Sequence, residues 1–277
     1  MTWEKKKVLV TVKAYPERSK KYGSVACTVG LTEDGEWIRL YPITLDVFSG
    51  ENKLRKYDWI EVECKKAEEK LSRKESYKIR DGTLKIIDRS LSLGKVKGKV
   101  NWSERNKLIL KHAAPSLEYL QDKFEEDRTS VGLIKPVEVM DFYKKGELQI
   151  YKDRMDFQQA LFGPSMPIVE DIPHIFGYRF KCAGCTEKKE HNIQSEDWEL
   201  FESYRSWGQK YGDVKILWDK LHQKYYREML EKDFYFYVGT FSQFPTWLII
   251  GIYYPPKDVG TSPKKGVNLK LGEMFPE

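Results

Sequence analysis

Eight consecutive residues, Trp247 to Tyr254 (WLIIGIYY), contain no charged side chain. A strand with one wet face alternates apolar and polar residues, and this run does not alternate. It is too short for an ordinary helix and rich in β-branched and aromatic residues, so it is expected to be a central strand covered on both faces. Pro255-Pro256 ends it. The chain must therefore build a layered body around this strand.

The residues before it offer the other parts of that body. Phe234 to Val238 is a second apolar, β-rich run. Upstream, helices are expected from about Ser195 to Gln209 and from about Val214 to Leu230, separated by Tyr211-Gly212-Asp213. Leu217, Leu221, Tyr225 and Met229 recur every fourth residue and make one apolar face. Leu108, Ile109, His112, Leu117, Leu120 and Phe124 suit an amphipathic helix interrupted near Pro115. Ser130 to Phe142 is read as strand with a bulge or edge at Lys135-Pro136. Residues 144–175 show no clear periodicity and are read as an irregular insertion.

The front third has a different texture. In Lys7 to Lys13, Val8, Val10 and Val12 share one face by period two, and all of the other face but Leu9 is polar. Ser24 to Leu31 and Glu36 to Tyr41 are joined by Glu33-Asp34-Gly35, a hairpin signal. Asp58 to Cys64 alternates again, and Thr83 to Ile87 is a further short run. Several short strands with turns between them indicate a small barrel or strongly curved sheet. Residues 88–101 are rich in Lys, Gly and Ser and are read as a connector. The expected fold class is α+β: a basic, β-barrel-like domain over residues 1–100, then a sheet-plus-helices domain over 101–277.

Charge separates the same two regions. Residues 1–110 hold 25 Lys and Arg against 16 Asp and Glu, while the rest of the chain is close to neutral. A basic half suits a polyanion, DNA or RNA. Trp37, Arg39 and Tyr41 share one face of their strand, a row that can stack bases and meet phosphate. Lys20, Lys21, Arg55 and Lys56 are candidate phosphate contacts, and Arg73, Lys74, Lys78 and Arg80 form a second candidate cluster. The competing readings are that the row is core and that the charges only solvate a Lys- and Glu-rich surface.

One stretch, Gly177 to Leu200, concentrates site chemistry. Cys182 and Cys185 form a C-x-x-C and His191 follows six residues later, on what is expected to be a hairpin spanning 178–194. A C-x-x-C turn aims two sulfurs at one point, as zinc requires, but a closed site takes four ligands. His174 is the nearest candidate fourth ligand and His222 the next. Two inert reduced thiols at a turn are the alternative. Asp197 and Glu199 are candidate acid–base or divalent-cation ligands. Helix capping accounts for them as well, with Ser195 as N-cap and Glu196 and Asp197 in the first turn.

The segments YPERSKKYGSVACTVGL and GEWIRLYPI, with EDWELF, KDFYFYVGT and WLIIGIYYPP, resemble a family of uncharacterised, stand-alone bacterial proteins. The likeness spans most of the chain, and it implies a shared fold unit with no established activity. Walker A, G-x-G-x-x-G, G-x-S-x-G and H-E-x-x-H patterns are all absent. With no run of eighteen apolar residues, no transmembrane helix is expected. Few cysteines and no recognisable leader suit a reducing cytoplasm. Nucleic-acid binding, within a nuclease, modification or defence assembly, is the expected function. A metal-dependent hydrolase or nuclease using Asp197 and Glu199 is the second reading, and a scaffold for a protein partner the third.

Overall fold

The computed structural model describes residues 2–19, 23–67, 73–92, 95–96, 99–146, 172–185, 190–241, 245–257 and 259. The front of the chain supplies β1 (Glu4–Lys13), β2 (Glu17–Ser19), β3 (Gly23–Thr32), β4 (Trp37–Thr44), β5 (Trp59–Lys66), β6 (Ser76–Ile79) and β7 (Lys85–Asp88). Pairing runs β1–β3–β4–β6–β5 and returns from β5 to β1, which closes a five-stranded barrel; β2 and β7 extend its margins. Inside it lie Val8, Val10, Ile38, Leu40, Ile43, Ile60, Val62 and Cys64. These are largely alternate positions of β1, β4 and β5, as the pleat demands. Gly35, at φ +82°, supplies the left-handed residue of the β3–β4 turn.

The rest supplies the short hairpin β8 (Lys95–Val96) and β9 (Lys99–Val100), then α1 (Trp102–Ile109), β10 (Ala113–Ala114), α2 (Leu117–Asp127), β11 (Val131–Ile134), β12 (Pro136–Lys145), β13 (Ile175–Cys182), β14 (His191–Ser195), α3 (Trp198–Tyr211), α4 (Val214–His222), β15 (Tyr235–Thr240) and β16 (Trp247–Tyr253). A π-helical turn, Gln223–Arg227, continues α4 to Leu230. The second sheet has the order β10-β11-β15-β16-β14-β13-β12. Every residue of β16 is buried, and it lies between β15 and β14 as its unbroken apolar run requires. One residue, Lys135, separates β11 from β12, although these lie far apart in the strand order, so the sheet bends back on itself. Helices α2, α3 and α4 cover one face through Leu117, Leu120, Phe124, Leu200, Phe201, Leu217 and Leu221.

The other face packs on the barrel. Leu9, Val12, Val29 and Leu31 from the barrel share one apolar cluster with Val131, Leu133, Tyr235, Tyr237, Leu248, Ile250 and Tyr253. Two details of β1 differ from the sequence reading. A bulge between Val10 and Val12 moves Val12 to the side of Leu9. That second side is dry because the sheet covers it, and Thr11 hides its hydroxyl by donating to the Val29 carbonyl (3.2 Å). Among the described residues no helix is long and apolar enough to cross a membrane.

Candidate functional site

Three groups of side chains carry chemistry: the seam between barrel and sheet, the outer β5–β6 surface, and the turn that ends β13.

At the seam, period two does place Trp37 and Arg39 together, but the second sheet covers them. Trp37 packs edge-on against Tyr237 and His112, with ring centroids 6.1 and 5.7 Å away. Arg39 is 3% exposed; its Nη2 donates to the Ser130 carbonyl (2.6 Å) and its Nη1 meets Cys27 Sγ at 3.8 Å. Gly239 admits it: a Cβ there would sit 2.3 Å from Arg39 Nη2. Ser130 in turn donates its amide and hydroxyl to the buried Glu75 carboxylate. The expected open row is therefore corrected at Arg39, which is buried, and at Trp37, which packs on the second sheet; Tyr41 is half-buried. The competing hydrophobic positions, Ile38 and Leu40, fill the barrel and leave this face for the sheet.

Lys56 is likewise part of the seam rather than a phosphate contact. Its ammonium, 6% exposed, donates to Glu199 Oε2 (3.3 Å) and the Ile252 carbonyl (3.2 Å) and lies 3.8 Å from Asp197 Oδ2. Burial lowers its pKa, but Glu199 and Asp197 more than offset this and hold it well above the ordinary lysine value. Asp197, not Ser195, is the N-cap of α3: Oδ1 accepts from Leu200 N–H (2.9 Å) and Oδ2 from Ile252 N–H (3.0 Å). Ser195 pairs in β14 with Ile249. Burial pushes the Asp197 carboxyl up, opposed by Lys56 and these two amides. Burial acts the same way on Glu199, but Lys56 and Lys13 hold it below its ordinary value; its side chain is still 41% exposed. The candidate carboxylate pair is thus bridged by a lysine in the place where a cation would sit. The Arg73 guanidinium also crosses the seam, to the Thr240 carbonyl (3.2 Å).

Of the remaining candidates, Lys74, Lys78 and Arg80 are exposed. Lys20 and Lys21 lie outside the described residues, and Arg55 is half-buried, its amide donating to Asp58 Oδ2 (2.9 Å). Lys74 meets Asp127 at 2.5 Å, and Arg80 meets Glu63 at 2.6 Å. Lys65 and Lys78 are direct cross-strand partners on β5 and β6. Near them Trp3 carries Arg80 4.7 Å and Lys65 5.6 Å from its ring centroid. Lys6 and Lys66 flank the Tyr77 ring at 5.2 and 4.8 Å. Trp3, Lys65, Lys66 and Tyr77 are not among the sequence candidates; the alternation of β5 and β6 puts Lys65 and Lys78 on the outer face, and Lys66 and Tyr77 on the side of the barrel core, against which Tyr77 packs.

At the third group, β13 ends on Cys182, a turn brings Cys185 back, and β14 begins with His191. The Sγ atoms of both cysteines and a ring nitrogen of His191 lie within 4.8 Å of one another, so the cluster can hold a metal ion. The Cys182 amide donates to Cys185 Sγ (3.0 Å), and Cys185 Sγ lies 2.9 Å from His191 Nε2. Burial pushes the Cys182 thiol up to about 12 and also raises that of Cys185. All four cysteines are free thiols. His174 is corrected as a ligand: it precedes β13 while Cys182 ends it, a separation of about 26 Å at the rise of a strand, and its ring packs on Tyr204 and Phe176. His222 packs among Phe142, Trp218 and Tyr226. The residue that does reach the cluster is Glu118 of α2, whose Oε2 is 3.5 Å from His191 Nε2. Burial raises the pKa of this carboxyl, but its own amide at the helix start, His191, Cys185 and Ser116 more than offset that and leave it lowered. Glu118 lies 64 residues before Cys182, and no local spacing points to it.

Two family descriptions match the chain. Domain of unknown function (DUF8758) matches residues 4–111, and Domain of unknown function (DUF8757) matches residues 112–271. No curated protein matches the chain. The first match takes in the barrel and α1, and the second takes in the sheet, its helices and the Cys182–Cys185–His191 cluster. With the second match extending over more than half of its residues, the chain belongs to the Domain of unknown function (DUF8757) family.

Proposed function

We propose that the protein binds a nucleic acid through the outer β5–β6 surface of the barrel, on a body fastened by a zinc ion at Cys182, Cys185 and His191. The observation that carries the binding reading is the direct opposition of Lys65 and Lys78. Like charges at directly paired positions destabilise a sheet, and a phosphate between them turns that repulsion into attraction. Trp3 lies on the same side, with Lys65 and Arg80 at its ring, and offers an aromatic face to a base, worth about 1–3 kcal/mol when stacked. The zinc reading rests on the donor set, since two thiolates and an imidazole are its preferred ligands.

The test is anisotropy of labelled single- and double-stranded DNA and RNA over a range of salt. Each phosphate engaged contributes about −0.9 to the log–log salt slope for duplex DNA and about −0.7 for single strands. Lys65→Glu with Lys78→Glu is expected to flatten the slope by about two such contacts and weaken binding in all sequences. Unchanged binding by that variant overturns the reading.

A further inference from the structure

We infer that Glu118 is the fourth ligand of a mixed metal site, completing two thiolates and one imidazole with a carboxylate, and that the metal ties the first turn of α2 to the β13–β14 hairpin. The inference rests on the zinc reading and deepens it.

Geometry comes first. For tetrahedral zinc, with Zn–S near 2.3 Å and Zn–N near 2.0–2.1 Å, neighbouring donor atoms stand about 3.6–3.8 Å apart. The Cys185 Sγ to His191 Nε2 distance of 2.9 Å and the 4.8 Å limit over the three donors bracket that spacing. Glu118 Oε2, at 3.5 Å from the same His191 nitrogen, takes the separation a fourth donor would have.

Chemistry points the same way. Both Glu118 carboxylate oxygens are buried, and the groups turned towards them are its own helix-start amide, His191, the Cys185 thiol and Ser116. Two sulfurs and an imidazole nitrogen within 4.8 Å of one another, with a carboxylate oxygen 3.5 Å from that imidazole, are all electron-pair donors. Only protons or a cation can hold them together, and one divalent ion satisfies all four at once. The site is pre-shaped on the helix side too. Ser116 caps α2 by accepting from Tyr119 N–H (3.1 Å), and Gly184 in the C-x-x-C turn comes so close that a Cβ on it would lie 3.1 Å from Ser116 Cβ. That contact fixes the first turn of α2, and with it Glu118, against the cysteines.

A carboxylate ligand distinguishes this centre from an all-sulfur one. Oxygen binds zinc less tightly than thiolate does and exchanges more readily, so Glu118 is the ligand that leaves first. The metal then remains on the hairpin while α2 is released.

The experiment is a titration of the metal-free full-length protein with Co2+, read by thiolate-to-cobalt charge transfer and by d–d bands, followed by displacement with Zn2+. The wild type is expected to bind one Co2+ with both thiolate bands and tetrahedral d–d intensity. Glu118→Gln is expected to keep the thiolate bands, shift the d–d bands and weaken affinity about 10–100-fold. Glu118→Cys is expected to restore tight binding with a stronger charge-transfer band. If Glu118→Gln matches the wild type in spectrum and affinity, the fourth ligand is not Glu118, and the inference falls while zinc stands. If the wild type itself forms no 1:1 complex, the zinc reading falls and takes the inference with it. Far-ultraviolet circular dichroism of each variant separates either outcome from misfolding.

Discussion

The Arg39 guanidinium donates a 2.6 Å hydrogen bond from Nη2 to the carbonyl of Ser130, joining the barrel to the strand β11 that follows Ser130. A charged donor, buried and held by a backbone acceptor of another layer, serves to fix how two layers meet. It is not poised to greet a ligand.

Arg39→Met is therefore expected to act on stability alone. Hydrogen bonds to charged groups are worth about 1.5–3 kcal/mol, and the loss in urea denaturation should fall in that range. The salt slope of nucleic-acid binding should be unchanged in the same variant. A changed slope with intact stability would return Arg39 to the binding surface.

Lys56→Met tests the seam through pH. Lys56 has a raised folded-state pKa, so its stabilisation is fully present below its unfolded value, about 10.4, and fades only at still higher pH. Glu199 has a lowered one, so its stabilisation is present above about 4.3 and is lost as pH falls through the folded value. Removing the lysine leaves Asp197 buried beside Glu199 with Lys13 as the main remaining counter-charge. A loss of about 3–5 kcal/mol is expected near neutral pH, shrinking on acidification as the carboxyls take up protons. Denaturation curves at neutral and acid pH that show the same loss would contradict this account.

Trp3→Ala should weaken nucleic-acid binding by about 1–3 kcal/mol if its ring carries a base. The salt slope should hardly change, because the lysines remain. Anisotropy at one fixed salt concentration measures this, and wild-type affinity in the variant would remove Trp3 from the surface.

Chelation of the metal is expected to lower Tm, and added Zn2+ to restore it. A ligand at about one hundred times its Kd stabilises by about 2.7 kcal/mol, which calorimetry resolves easily. A Tm indifferent to both chelator and zinc would dismiss a structural metal.

Much of this architecture can be read from the residues one segment at a time. The unbroken run in β16 allowed only a doubly covered strand, and Asp34-Gly35 marked the β3–β4 hairpin. The helical face of Leu217, Leu221, Tyr225 and Met229 is the buried one. What failed to show was which layer covers which face. Period two put Trp37 with Arg39, yet nothing local says that a sheet about 90 residues further along the chain lies over them. The α3 cap moved from Ser195 to Asp197 because both residues are good caps and only the β14–β16 pairing chooses between them. Glu118 was invisible for the same reason: side chains brought together by a fold carry no signature in spacing.

The apolar cluster shared by Leu9, Val29, Leu133, Tyr237 and Ile250 bears on how such a chain can be inherited. The two matched regions abut at residues 111 and 112, but neither owns a finished surface on the side facing the other. A gene carrying only the front piece would yield a barrel with an oily flank, prone to clump. Each half is therefore expected to need a neighbour that keeps that flank dry.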